Sequence, residues 1–210
     1  MSAMNVVHLG TIAFNEAFAI QERAAAGIAA GTERDTLLLL EHTPVYTIGS
    51  GGSAANILDP RIEAVRTNRG GDVTYHGPGQ LVAYPLVDLS RRGRDLHRWL
   101  RLLEEVLRRV AAEWDIASCT VPGHTGLWTG RGKLASIGVG VRRWVTMHGF
   151  ALNVAPDLSA FYGINPCGIE RCPMTSLSIE AGREIEMAET MRLATEYFTA
   201  ALQELLPVTE

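Results

Sequence analysis

The tightest constraint on the fold lies between Gly126 and Val154, where apolar stretches follow one another with almost no chain between them. Gly126-Leu127-Trp128-Thr129 runs into the triplet Gly130-Arg131-Gly132, and Lys133 to Val141 follows at once. Two such runs joined by a glycine turn form a β-hairpin, because glycine takes the positive φ of tight turns without steric cost. Trp144 to Val154 supplies a further strand. Thr36 to Glu41 is a short apolar run that reads as a buried strand, continuing past Pro44 to Gly49. Leu81 to Leu89 is another. Phe14 to Ala30 carries apolar residues at helical spacing, with Gln21 as the one polar exception on the stripe. Asp95 to Trp114 is the strongest helix, with Leu96, Trp99, Leu100, Leu103, Val106, Leu107 and Val110 on one face. Glu189 to Leu206 closes the chain as an amphipathic helix. Helices and strands mix without regular βα alternation. The expected class is therefore α+β, a mixed and largely antiparallel sheet with flanking helices. A chain of 210 residues, 47% hydrophobic, suits a single domain over residues 1–210.

Several function classes drop out. The formal net charge is −4, and nucleic-acid binding normally needs a basic excess, so no nucleic-acid partner is expected. Apolar runs such as Leu37-Leu38-Leu39-Leu40 fall far short of the roughly 20 residues of a membrane span. No basic stretch with an apolar segment behind it opens the chain, so the expectation is a cytoplasmic protein, and a monomer. The three cysteines fit reduced thiols. Cys119 reads as strand-edge packing. Cys167 and Cys172 lack the spacing of a zinc pair, and no second Cys/His pair completes a tetrahedral site, so no metal is expected.

The segment from Arg69 to Gln80, RGGDVTYHGPGQ, is dense in glycine yet abuts a buried strand. It lacks the Gly-Lys-Ser/Thr ending of a phosphate loop, and a strand rather than a helix follows it. Its glycines fit a narrow ligand that approaches the backbone closely. Ser50 to Ser53 should be mobile or ligand-facing. Cys167 sits in a rigid Pro-Cys-Gly turn, which is either structural or presents a thiol. A nucleophilic thiol needs a cation or base beside it, since a free thiol is mostly protonated at neutral pH. His76, His124, His148, the arginines and Lys133 are candidates. Lys133 is the one lysine among 19 basic residues, and arginine cannot serve as a proton shuttle. His148, alone on an apolar strand, reads most simply as a satisfied core group.

Three blocks taken together are more specific: Arg69 to Leu89, Gly132 to Val154, and Ile164 to Leu177, with His42 to Gly49 ahead of them. They resemble the lipoyl(octanoyl) transferase family, over about Thr36 to Glu180. The resemblance implies the catalytic fold of lipoate–protein and biotin–protein ligases. It implies octanoyl transfer from acyl carrier protein to a lysine on lipoyl domains of 2-oxo acid dehydrogenase complexes and on the glycine-cleavage carrier protein. Carried over by position, Cys167 is the acyl-thioester nucleophile and Lys133 its activating partner. The acyl pocket maps to Arg69, Gly70, Gly71, Asp72, Val73, Thr74, Tyr75 and His76, to Ser136, Ile137 and Gly138, and to Gly149, Phe150 and Ala151. Many relatives have Ala where this chain has Ser136. No cofactor is expected, because a thioester donor is already activated. Oxyanion donors are expected among the amides of Gly77 to Gly79 or near Cys167. The alternative on the same fold is an ATP-dependent lipoate–protein or biotin–protein ligase.

Overall fold

The computed structural model describes residues 4–208; the first three and last two residues of the expected domain lie outside the described residues. In chain order the elements are β1 (Asn5–Ile12), α1 (Phe14–Ala29), β2 (Thr36–His42), β3 (Val45–Ile48), β4 (Ala64–Arg66), β5 (Val73–His76), β6 (Gln80–Leu86), α2 (Leu96–Ala112), β7 (Cys119–Val121), β8 (His124–Trp128), β9 (Lys133–Arg142), β10 (Val145–Asn153), α3 (Leu177–Ala181) and α4 (Met187–Leu205). The main sheet has seven strands in the order β1-β2-β6-β10-β9-β8-β7, and only the β1–β2 pair is parallel. A smaller sheet runs β4-β3-β5. The architecture is the expected mixed, largely antiparallel α+β arrangement. Among the described residues no helix is long and apolar enough to cross a membrane.

The apolar run of β2 is buried on both sides, because successive side chains of a strand point to opposite faces. Leu37 and Leu39 join Leu81, Leu152 and the stripes of α2 and α4, including Trp99, Val106 and Phe198. Leu38 and Leu40 join Val82, Tyr84, Met147 and the inner face of α1. Helix α2 begins where the Asp95 carboxylate accepts the His97 and Arg98 amides at 2.9 and 3.0 Å, an N-cap. Its first residue, Leu96, sits at the solvent edge of the expected stripe, while Leu102 is fully buried.

The run from Thr36 to Gly49 is not one strand. It leaves the main sheet after His42, and Pro44, which has no N–H for a ladder, precedes the start of β3 in the small sheet. The glycine-rich segment makes the reverse passage. Its β5 lies in the small sheet, and Gly77 to Gly79 turn the chain into β6 of the main sheet. Breakers stand against core strands here because the chain changes sheets. Ser50 to Ser53 is tied down rather than mobile: the Ser50 amide donates to Arg69 O at 2.9 Å, and the Ser53 amide to Asp72 Oδ1 at 3.2 Å. Cys119 lies on the edge strand β7 as expected, but it is exposed rather than packed.

Strand β10 carries a local irregularity. It pairs with β6 from Phe150 to Asn153 and then loses that ladder toward Pro85. At this point His148 takes φ 55°, the left-handed region, and its amide donates to Gln21 Oε1 at 2.8 Å. A non-glycine residue in this region costs about 1–2 kcal/mol, so the surroundings must hold it. Gly149 beside it has no room for a side chain, since a Cβ would lie 2.3 Å from Ala83 O.

Candidate active site

Lys133 opens β9, and Cys167 sits in a short turn, Pro166–Gly168, far along the chain. The two meet: Lys133 Nζ donates to Cys167 Sγ at 3.3 Å and to Thr125 O at 3.1 Å. The lysine is 1% exposed and its Nζ lies 4.9 Å from the Trp128 ring centroid, a contact that holds it in place. Cys167 has φ 58° and Gly168 φ 72°, so two successive left-handed residues form the turn that carries the thiol. Ser136 Oγ is 3.9 Å from the same sulfur. A thiol with an amine in contact is a nucleophile with a proton acceptor already in place.

Cys167 lines a narrow cleft open to solvent, with about 40 Å³ of room for the centres of water-sized groups. It is lined by Arg69, Gly71, Asp72, Thr74, His76, Ser136, Ile137, Gly138, Gly149, Phe150 and Ala151, together with Phe14, Val82, Tyr84, His148 and Cys167. Three expected members do not line it. Val73 and Tyr75 point to the opposite side of β5, where they pack with Phe161 and Ile164; alternation along the strand gives only Thr74 and His76 to the cavity. Gly70 instead donates its amide to Val139 O at 2.7 Å, tying the segment to β9. Phe14, Val82 and Tyr84 line the cavity without any signal in the sequence that sets them apart from core residues. His148 is buried and hydrogen-bonded, as a satisfied core group should be, yet it also forms part of the cavity wall.

The wall is electrostatically unusual. Arg69 is 7% exposed, and among the described residues no carboxylate lies within ion-pair distance of it. Its guanidinium donates instead to Thr47 O at 2.8 Å, Thr47 Oγ1 at 2.8 Å and Gly70 O at 3.1 Å, so it straps the small sheet to its own loop. Burial pulls it below the ordinary arginine value. Nearby histidines stay neutral. Burial first, then the neighbouring His42 and Arg69, push His76 down to about 3; burial and Arg69 push His148 down to about 3. His42 is lowered by burial too. Each neutral ring has a defined partner. His76 Nδ1–H donates to Gln80 Oε1 at 2.7 Å, His148 Nε2–H to Asn68 Oδ1 at 2.7 Å, and the Tyr84 hydroxyl to His42 Nε2 at 2.7 Å.

Asp72 has a structural part. Its Oδ1 accepts the Val73 amide at 2.6 Å and the Ser53 amide, and Oδ2 accepts from Asn56 Nδ2 at 2.7 Å. A Cβ on Gly168 would lie 3.1 Å from Oδ2, so the thiol-bearing turn packs directly on this carboxylate. Among the expected oxyanion donors, the Gly79 amide is engaged by Glu41 Oε2 at 2.7 Å and the Gly168 amide by Asn165 O at 3.0 Å. Among the described residues no group of three or more His, Cys, Asp or Glu could hold a metal ion.

Residues 13–199 match the model of the lipoyl protein ligase A/B catalytic domain. The chain is 61% identical over 207 residues to an octanoyltransferase of Geobacter metallireducens, covering 99% of this chain and 97% of the relative. It is 52% identical to an octanoyltransferase of Syntrophotalea carbinolica, covering 99% and 98%. Among solved structures, lipoate-protein ligase A bound with ATP superposes with a TM-score of 0.79 at 16% identity, over 96% of this chain and 86% of that one. A biotin protein ligase from Aquifex aeolicus gives 0.55 at 12% identity, over 95% and 69%. The ligases thus share the fold, while the high identities lie with acyltransferases. The chain belongs to the lipoyl protein ligase A/B catalytic-domain family, within its octanoyltransferase branch.

Proposed function

We propose that Cys167 carries the octanoyl group as a thioester between two protein partners. The donor is octanoyl-acyl carrier protein, and the acceptors are the lipoyl domains of 2-oxo acid dehydrogenase complexes and the glycine-cleavage carrier protein. The observation that carries this reading is the 3.3 Å contact of Lys133 Nζ with Cys167 Sγ, a thiol that lines the cavity. In the first half-reaction Sγ attacks the donor carbonyl, Lys133 holds the thiol proton, and the departing carrier thiolate takes it up. In the second half, the acceptor lysine amine attacks the Cys167 thioester. The amide forms, the C–S bond breaks, and a proton from the attacking amine passes through Lys133 to restore the thiol. Thioester exchange is nearly balanced in energy and amide formation runs downhill, so one site serves both partners in turn.

Both tetrahedral intermediates need amide donors. Among the described residues, the N–H groups of Gly71 and Asp72 in the cavity wall have no backbone or side-chain acceptor, and neither do those of Gly77 and Cys167 from the expected set, which makes these four the candidates. Losing one such donor typically costs about 3–4 kcal/mol of barrier. The match over residues 13–199 supports one catalytic domain. The test is intact mass after mixing with octanoyl-acyl carrier protein. Wild type gains one octanoyl group and Cys167→Ser gains none under the same mild conditions. An adduct that persists on another residue would sink the assignment. Pyrophosphate release with free octanoate and ATP would favour the ligase chemistry instead.

A further inference from the structure

The cavity wall extends along the sheet away from Cys167. Cys167 Sγ lies beside Ser136, which pairs with Ala151 on β10. His148 pairs with Val139, three residues further along the same ladder. Tyr84 is two strands across from Ser136, two residues beyond Val82, which pairs with Ala151. With a rise of about 3.3 Å per residue and about 4.8 Å between strands, both positions fall roughly 11 Å from Ser136. Phe14, also in the cavity wall, stacks its ring on His148 at 6.4 Å between centroids; Tyr84 meets His148 edge-on at 5.8 Å. An extended eight-carbon acyl chain, built from single bonds of about 1.5 Å, spans roughly 9 Å, comparable to that separation.

We propose that Phe14, stacked on His148, is the length stop of the acyl cavity. This deepens the acyl-thioester reading of Cys167 and rests on it. The three wall members differ in what they offer a terminal methyl group. Tyr84 and His148 are fixed by hydrogen bonds to His42 and Asn68. Phe14 is the fully apolar one, and ring contacts hold it against His42, His148 and Phe18. Helix α1 fixes the stop twice. It presents Phe14 directly, and two turns later Gln21 accepts the amide of His148, holding that residue in the left-handed conformation at the wall.

The experiment is a competition among hexanoyl, octanoyl, decanoyl and dodecanoyl thioesters of acyl carrier protein, read as intact mass of the Cys167 adduct. Wild type takes octanoyl in preference. Phe14→Ala opens space for two further methylenes, and at about 0.8 kcal/mol each the decanoyl-to-octanoyl ratio rises about fifteen-fold. Phe14→Leu, the safer variant for folding, moves the ratio the same way by about four-fold, one methylene's worth. Phe14→Trp shifts preference toward hexanoyl. Unchanged ratios in Phe14→Leu and Phe14→Trp, with the Cys167 adduct still forming, would overturn the length stop alone. Failure of wild type to form any Cys167 adduct would overturn the acyl-thioester reading beneath it.

Discussion

Acid should unfold this protein through its cavity histidines before its carboxylates titrate. His76 and His148 are held at about 3 in the folded chain against an ordinary value of 6.5. Between those two values the unfolded chain binds protons that the folded chain refuses, so stability falls as pH falls. The loss starts as pH drops through about 6.5 and is complete near 3. Each histidine contributes about 1.4 kcal/mol per pH unit once its unfolded form is protonated, so the pair removes about 2.5 kcal/mol between pH 6 and pH 5. His42, also lowered by burial, acts in the same direction. Against a total stability of about 5–15 kcal/mol this is a large slope. Urea unfolding at pH 7, 6 and 5 measures it. His148→Asn keeps a residue that tolerates the left-handed backbone and removes one titrating group, so its slope should fall by about 1.2 kcal/mol per unit whatever its absolute stability. Equal slopes in wild type and variant would refute the claim that His148 is held neutral by burial.

Three more outcomes rest on the same geometry. Lys133→Met removes the proton acceptor at Sγ, and Cys167 acylation should slow by about 10²–10⁴-fold in rapid-mixing mass spectrometry; an unchanged rate would take Lys133 out of the chemistry. Gly149→Ala puts a Cβ 2.3 Å from Ala83 O and forces β6 and β10 apart, costing about 3 kcal/mol in urea unfolding. Cys172 is buried and its thiol is pushed up by that burial, so iodoacetamide should label exposed Cys119 well before it, as read by peptide mapping.

What the sequence makes legible is local. The hairpin around Gly130 to Gly132, the apolar stripe of α2 and the sheet class follow from spacing and turn chemistry, and the structure carries them with shifts of a residue or two. The single lysine points to Lys133, and its contact with Cys167 follows from the family resemblance, since 34 residues separate them. What spacing hides is which side of a strand faces a ligand when the chain changes sheets. The resemblance assigns the whole of Arg69 to His76 to the pocket, but alternation on β5 sends Val73 and Tyr75 away from it. Phe14 escapes notice because at the start of an amphipathic helix it looks like any core residue. Gln21 does leave a trace: a polar residue on an apolar stripe, fully buried, holds the His148 amide.

The carboxylate of Asp72 has a kinetic corollary. It gathers Ser53, Asn56 and Val73, with the Cys167 turn lying on top, while Lys133 reaches the thiol from another strand altogether. No local segment of this chain contains a working site. The contacts that join its parts close long loops, and long loops form late because their entropy must be lost before the contact rewards it. During refolding, helix signals from α2 and α4 should therefore recover well ahead of octanoyl loading at Cys167. The acyl adduct would serve as a clock for the last contacts to form.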